Sequence, residues 1–409
     1  MLEFLRIRTG IVLSAVLGLA ACSAPEIDGP TCTGLVRDFV PAKSVVGRSS
    51  APNVDATADL FARVFEGQAA QRANLDRDGR GVPVEILAMT TGGQYGAFSS
   101  GVLTGWTENG RPDFNVVTGA SAGALITPLA FAGSAFDARL KSNTRINLND
   151  VLSLQIVPPI PLASSVFSTK KLKRLVESEI DEPLLDRIAE RADPGQSGQE
   201  VNSVVVGAVN LKTGRFDIMD IGQYLATTPD DFATKEDCVS EAVLASSAIP
   251  VLFPPRKING DLYADAGVRQ HVFLEGLAQG QQTATQRTGQ QFDIRVTLLV
   301  NGDLVVAEKD PGPGILALAG RNFQLVTDQG FRESIDRTLR VVKQNPSWTF
   351  KALVAPELPA LNCKNPEPLF DKCITGALFE AGKNMTSSQP IPWLTAAELE
   401  RKINEIYGS

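Results

Sequence analysis

The chain has 409 residues, 43% of them hydrophobic and 21% charged, with 39 Lys and Arg against 46 Asp and Glu, a formal charge of −7 and a single histidine. An acidic balance without a clustered basic run argues against a nucleic-acid partner, because phosphate contacts need a cationic footprint. One imidazole rules out a metal centre built on several His ligands and makes any Ser-His-Asp triad depend on His271.

Arg6 and Arg8 precede an apolar run from Ile11 to Ala21, which ends in Leu19-Ala20-Ala21-Cys22. A charged start, a short apolar run and small residues before a cleavage point mark an export signal, and the run is shorter than the ~20 residues of a bilayer span. The ending resembles the lipobox of bacterial lipoproteins. That resemblance implies removal of residues 1–21, lipidation of Cys22 and, with Ser23 next, sorting to the outer membrane. A plain signal peptide ending near a cysteine is the alternative. Residues 22–54, with Pro, Ser and Gly and no sustained periodicity, are expected to form a tether. With Cys22 lipidated, Cys32, Cys238, Cys363 and Cys373 remain. They permit two disulfides in three connectivities, with Cys363–Cys373 the preferred pair, or four free thiols.

In chain order, Leu60, Phe61, Val64 and Phe65 predict a helix over 55–72 that packs on the domain behind it. Asn74, Asp76, Asp78, Gly79 and Glu85 fall at the spacings of a calcium loop, but Pro83 interrupts the pattern and Glu85 lies in an apolar strand, so an ordinary acidic turn is expected. A strand over 84–89, a Gly-rich turn and a helix over 97–108 follow. A second strand over 114–118, another Gly-rich turn and a long apolar helix repeat the pattern. Strand, tight turn and helix in repetition predict a mostly parallel sheet with helices on both faces. Further strands are expected at 202–209, turning through 211–214 into 216–219, and at 294–300 and 350–354. Asp193 to Glu200 and the Gln-rich stretch 279–291 are expected to be surface insertions. There is no internal repeat. One domain over 55–385 with a C-terminal extension, 386–409, is the simplest division.

Three segments carry chemistry. Gly119-Ala120-Ser121-Ala122-Gly123 lies between a predicted strand and a predicted helix, where a G-x-S-x-G turn holds its serine strained and exposed, with helix N–H groups aimed at a developing oxyanion. A small-residue turn chosen for close packing would read the same. Thr91-Gly92-Gly93-Gln94-Tyr95-Gly96 lacks the phosphate-loop and dinucleotide patterns, so it is expected to supply oxyanion N–H groups, from Gly92, Gly93 and Gln94. Asp265, between small residues after an apolar strand, can take a proton directly from a neighbouring hydroxyl. Only six residues separate it from His271, too few for the acid and base of an α/β-hydrolase triad, so His271 is expected to be structural.

The ordered set Gly92 to Gly96, Gly119 to Gly123, Ala245 to Pro255 and Asp265-Ala266-Gly267 resembles the patatin-like phospholipase family, from about Pro83 to about Lys383. The resemblance implies a three-layer α/β/α fold with a nucleophile elbow. It also implies a Ser121–Asp265 dyad cleaving lipid esters through an acyl-enzyme, an oxyanion loop around Gly92 and Gly93, and no metal or organic cofactor. Thr91, Tyr95 and Ala266 depart from the family's usual Gly, basic residue and Gly. Rival readings are an esterase or thioesterase for soluble acyl groups and a non-catalytic lipoprotein that binds lipid or an envelope partner. Intact-mass analysis of the protein purified from a bacterial envelope is expected to show a chain beginning at an acylated Cys22. An unmodified Cys22 would overturn the lipoprotein expectation.

Overall fold

The computed structural model describes residues 27–37, 54–72, 81–142, 153–154, 165, 167–193, 202–302, 304, 310–357, 361–364 and 370–407. Cys22 and the run before it (read as a lipobox), residues 73–80 (read as an acidic turn) and residues 194–200 lie outside them. Along the chain run α1 (Val54–Arg72), β1 (Val82–Met89), α2 (Gly96–Thr107), β2 (Val116–Gly119), α3 (Ala122–Ala132), α4 (Asp137–Ser142), β3 (Ser153–Leu154) and β4 (Phe167–Ser168). Next come α5 (Lys170–Glu179), α6 (Glu182–Ala192), β5 (Ser203–Asn210), β6 (Phe216–Asp220), α7 (Ile221–Thr227), α8 (Phe232–Ser246), β7 (Arg256–Ile258) and β8 (Asp261–Ala264). The chain continues with α9 (Leu277–Thr288), β9 (Phe292–Val300), α10 (Ile315–Gln344), β10 (Thr349–Val354), α11 (Lys372–Ser387) and α12 (Ala396–Tyr407).

The strands join in the order β10-β9-β1-β2-β5-β8-β7, with β6 also paired to β5. The five strands β10, β9, β1, β2 and β5 are parallel, and β6, β7 and β8 are antiparallel additions. Both faces of the parallel strands are apolar, as expected of strands covered by helices on each side. Side chains alternate between the two faces. Leu87 and Met89 of β1 and Val204 and Val206 of β5 point into one core, with α2, α3, α5, α6 and α8. Val84 and Ile86 of β1 and Val205 and Val209 of β5 point into the other, with α1, α9, α10 and α12. The architecture is therefore the expected α/β/α sandwich around a mostly parallel sheet.

One expectation is corrected. The Gln-rich stretch 279–291, read as an insertion with nothing to pack, is largely α9, docked on α1. Leu277, Gly280 and Ala284 form its buried stripe. A Cβ on Gly280 would lie 2.6 Å from Phe61 Cβ and 2.8 Å from the Ala58 carbonyl oxygen. Composition hides such a helix because close backbone approach, rather than bulky side chains, makes the contact. The C-terminal residues 386–409 include α12, which buries Leu399 and Ile403 in the second core. Just before it, Leu394 exchanges two backbone hydrogen bonds with Ala352 and covers the outer edge of β10.

Residues 27–37, inside the stretch read as a tether, are docked on the domain. Cys32 and Leu35 are fully buried, Val36 bridges Met219, and Arg37 pairs with Asp220. Disulfides join Cys32 to Cys238 and Cys363 to Cys373. Gly280→Val is expected to lower unfolding free energy in denaturant by about 1–3 kcal/mol through overpacking. Gln279→Ala on the exposed face of the same helix should stay within about 0.5 kcal/mol of wild type.

Candidate active site

The site is built where neighbouring strands end together. Met89 of β1 pairs with Gly119 of β2 and with Leu299 of β9, so the loops leaving these three strands emerge side by side. Ligand sites of open α/β sheets gather at this carboxyl edge. The β7–β8 hairpin brings the fourth component. Ala264 sits opposite Val209 of β5, and Asp265 N–H donates to the Ala248 carbonyl at 2.9 Å.

Between β2 and α3 the backbone turns so sharply that two positions exclude any side chain. A Cβ on Gly119 would fall 2.0 Å from Thr127 Oγ1, and one on Gly123 would fall 2.6 Å from the Met89 carbonyl oxygen. Ser121 between them is held at φ 49°, ψ −116°. Such a conformation costs a non-glycine residue ~1–3 kcal/mol and persists only where its surroundings impose it. Here Ser121 N–H donates to Ser246 Oγ at 3.0 Å, and Ser247 Oγ donates to the Ser121 carbonyl at 3.1 Å. Both supporting serines belong to the segment Ala245 to Pro255 singled out in the sequence.

The Ser121 hydroxyl donates to Asp265 Oδ2 at 2.7 Å, and Gly267 N–H donates to Asp265 Oδ1 at 2.7 Å. Both side chains are almost wholly buried. Burial pushes the Asp265 carboxyl up to about 6, against the opposing pull of the bonds from Ser121 and Gly267. A base poised near neutrality both stays ionised at working pH and holds a proton well enough to return it. Ala266, where the family has glycine, opens a short 3-10 turn and has no positive φ, so its methyl group is accommodated without backbone strain.

Gly92 and Gly93 both lie at positive φ, 156° and 56°. A Cβ on Gly92 would meet the Asn301 carbonyl oxygen at 1.6 Å, whereas nothing lies within 4 Å of one on Gly93. Gly93 and Gln94 begin a 3-10 turn, so their N–H groups have no acceptor within it. The Gln94 side chain faces elsewhere, its Oε1 accepting from Asp371 N–H at 3.1 Å.

Gly93, Gln94 and Ala122 are among the residues lining an open cleft with a cavity volume of about 110 Å³. Its wall follows one stripe of α3, Ala122, Leu125, Ile126 and Leu129, and Leu172 and Val176 of α5 close the opposite side. The lining is mostly apolar and suits a hydrocarbon chain.

Asn301 was missed in the sequence. Its N–H donates to Thr90 Oγ1 at 2.8 Å, its Nδ2 donates to the Thr90 carbonyl at 2.9 Å, and its Oδ1 accepts from Ser99 at 2.6 Å. It fixes the start of the 90–95 loop. Its signal was a polar residue directly after the apolar strand β9. His271 is brought close but makes no hydrogen bond to Ser121 or Asp265; its Nδ1 lies 2.5 Å from Thr91 Oγ1. Among the described residues one group resembles a metal site, Cys363, Asp371 and Cys373. Its sulfurs are joined in a disulfide, and Asp371 caps α11.

A sequence model described as patatin-like phospholipase matches residues 87–278, the span from β1 through Ser121 and Asp265 to the start of α9. Residues 87–278 thus carry a patatin-like phospholipase domain. Such a domain implies a lipid hydrolase, and the match spans the glycine loop, the turn at Ser121 and Asp265. The crystal structure of VipD from Legionella pneumophila is similar at 14% sequence identity, over 75% of this chain and 67% of that one, with a TM-score of 0.33. A search of curated proteins gives no match.

If the Asp265 carboxylate is the working base, kcat/KM for an ester substrate rises about tenfold per pH unit on the acid side and levels off above about 6. A pH–rate profile from 4 to 9 checks this. A plateau persisting down to pH 4 would contradict it.

Proposed function

We propose that this patatin-like protein is a lipid acyl hydrolase of the phospholipase A or lysophospholipase kind, in which Ser121 is the nucleophile and Asp265 the general base. The observation that carries the reading is the 2.7 Å bond from the strained Ser121 hydroxyl to Asp265, beside an apolar cleft that the next residue, Ala122, lines. Ser121 Oγ attacks the ester carbonyl carbon while its proton passes to Asp265 Oδ2. The negative charge gathering on the carbonyl oxygen is met by backbone N–H groups of the loop at Gly92, Gly93 and Gln94, and by the first turn of α3. Removing a single such donor in other enzymes costs ~10²–10³ in rate.

As the tetrahedral adduct collapses, the bond to the alcohol oxygen breaks and Asp265 gives its proton to that oxygen. The acyl group stays on Ser121, its chain lying along the α3 stripe. Water then enters, Asp265 takes its proton, and the hydroxide attacks the acyl carbonyl. The second collapse releases the fatty acid and returns the proton from Asp265 to Ser121. No residue other than these is required to carry a proton.

Lipidation of Cys22 and residence at the outer membrane belong to the same proposal. They would hold the cleft beside a bilayer, each buried methylene of the anchor adding ~0.8 kcal/mol of membrane affinity. Among the described residues no helix is long and apolar enough to cross a membrane.

Fatty-acid release from mixed phospholipid vesicles tests the reading. Ser121→Ala and Asp265→Asn are each expected to cut release by at least about 10³-fold. Release undiminished in either variant would remove that residue from the mechanism. No release from folded wild type would favour the binding-only reading.

A further inference from the structure

Two oddities of the chain, the only histidine and the threonine where the family loop begins with glycine, lie 180 residues apart in sequence and meet in the structure. Thr91 Oγ1 and His271 Nδ1 are 2.5 Å apart, and Thr91 N–H donates to the His271 carbonyl oxygen at 3.1 Å. His271 thus holds Thr91 by side chain and backbone together. Thr91 is the residue immediately before Gly92 and Gly93.

The histidine is itself held from behind, its backbone amide and its ring each having a partner on α10. His271 N–H donates to Ser334 Oγ of α10 at 3.2 Å, and Phe331 packs edge-on at 5.3 Å between ring centroids. Gly330 leaves room for the ring: a Cβ there would lie 3.2 Å from Nε2. On the other side a Cβ on Gly267 would lie 3.1 Å from His271 Cε1 and 3.0 Å from Asp265 Oδ1. The ring is therefore wedged between the loop carrying the oxyanion donors, the loop carrying Asp265 and the long helix α10.

The protonation pattern follows from the partners. His271 is 1% exposed, and its Nε2 has no hydrogen-bond partner among the described residues. Burial, reinforced by the positive charge of Arg337, pushes the imidazole down to about 4, so it is neutral under working conditions. A neutral ring carries one N–H. An orphaned buried N–H is rarer in proteins than an under-used acceptor, so the proton belongs on Nδ1, donated to Thr91 Oγ1, with Nε2 bare.

We propose that His271 is a positioning residue for the oxyanion loop, acting through its Nδ1–H bond to Thr91 and holding Gly92 and Gly93 against the reacting carbonyl. The proposal rests on the Ser121–Asp265 reading for its catalytic consequence, but the bond itself can be observed without turnover. His271 touches neither substrate nor the reacting atoms in this scheme. Its loss would shift donors rather than remove them.

The test combines kinetics with a spectroscopic readout, on the full chain. Thr91→Val and His271→Leu are each expected to lower kcat by roughly tenfold to a hundredfold, with KM within about twofold, since misplaced donors weaken the transition state more than substrate binding. The double variant should be no slower than the worse single one, because both cut the same link. Thr91→Ser should restore most of the rate. Multiplying effects, or an unchanged kcat with only a lower Tm, would overturn the proposal. Should His271→Leu fail to fold, the near-isosteric Thr91→Val carries the kinetic test alone.

Because the chain has one histidine, ¹⁵N-labelling of that residue gives a single pair of ring-nitrogen signals. A protonated Nδ1 and bare Nε2 in wild type, with the pattern altered in Thr91→Val, support the bond. The opposite tautomer would refute it. Absence of Ser121-dependent hydrolysis alongside the expected tautomer would count against the proposed function and leave the Thr91–His271 contact standing.

Discussion

Everything at this site hangs on how closely the serine turn passes over the end of β1. With Gly123 pressed against the Met89 and Thr90 carbonyls and Gly119 against Thr127, the backbone between them has no slack. The strain at Ser121 is the result, and it is maintained from outside the turn. Ser246 and Ser247, at the end of α8, hold the amide and carbonyl of Ser121, so the helix that leads to the β7–β8 hairpin also locks the serine. The same hairpin delivers Asp265. One short stretch of chain thus fixes the serine's backbone and supplies its hydrogen-bond acceptor, which couples the two side chains' positions.

The polar groups around this turn divide into the Ser121–Asp265 pair and those that brace the neighbouring loop. Asn301 uses its amide and side chain on Thr90 and Ser99, and His271 uses its ring and carbonyl on Thr91. The loop from 90 to 95 is thereby gripped from two sides. Gln94, the next residue with a hydrogen-bonding side chain, reaches Asp371 at the start of α11. At Gly93 a Cβ would meet nothing within 4 Å among the described residues. Bracing of this kind is what pre-organised donors require, since a donor free to move would have to be ordered in the transition state.

Much of this was legible in the sequence for a physical reason. Strands β1, β2, β5 and β9 are largely buried on both faces and read as mostly apolar runs, and the turns after β1 and β2 announce themselves through glycines, of which Gly92, Gly119 and Gly123 have no room for a side chain. Ser121 and Asp265 stood out because reactive groups were flanked by small residues at strand ends. The family resemblance was legible in the same motifs, whose order only a common fold explains. Elsewhere the signal was weak. Helix α9 packs through Gly276 and Gly280 and hides its contact stripe among glutamines, while α12 touches the core through little more than Leu399 and Ile403. The Thr91–His271 contact could not be read at all, because nothing local to either residue refers to the other. The cleft wall from α5 was equally silent, since Leu172 and Val176 on a helix full of lysines read as an ordinary amphipathic surface.

The bond between Cys32 and Cys238 changes the mechanical picture of an anchored protein. The distance over which such a protein can roam is set by the chain between its lipid and the first point where it is fastened to the body. With Cys22 as the attachment point, the first covalent fastening comes at residue 32, long before α1 begins. Ten residues reach no more than ~36 Å fully extended, about the thickness of a membrane's hydrocarbon layer. On so short a leash the body cannot tumble far from the lipid surface, and α8, which carries Cys238 and ends at the serines bracing Ser121, would be the side drawn toward it. Reduction of that one bond would leave the segment held only by its non-covalent contacts, the burial of Leu35 and the pairing of Arg37 with Asp220, without altering any residue of the cleft.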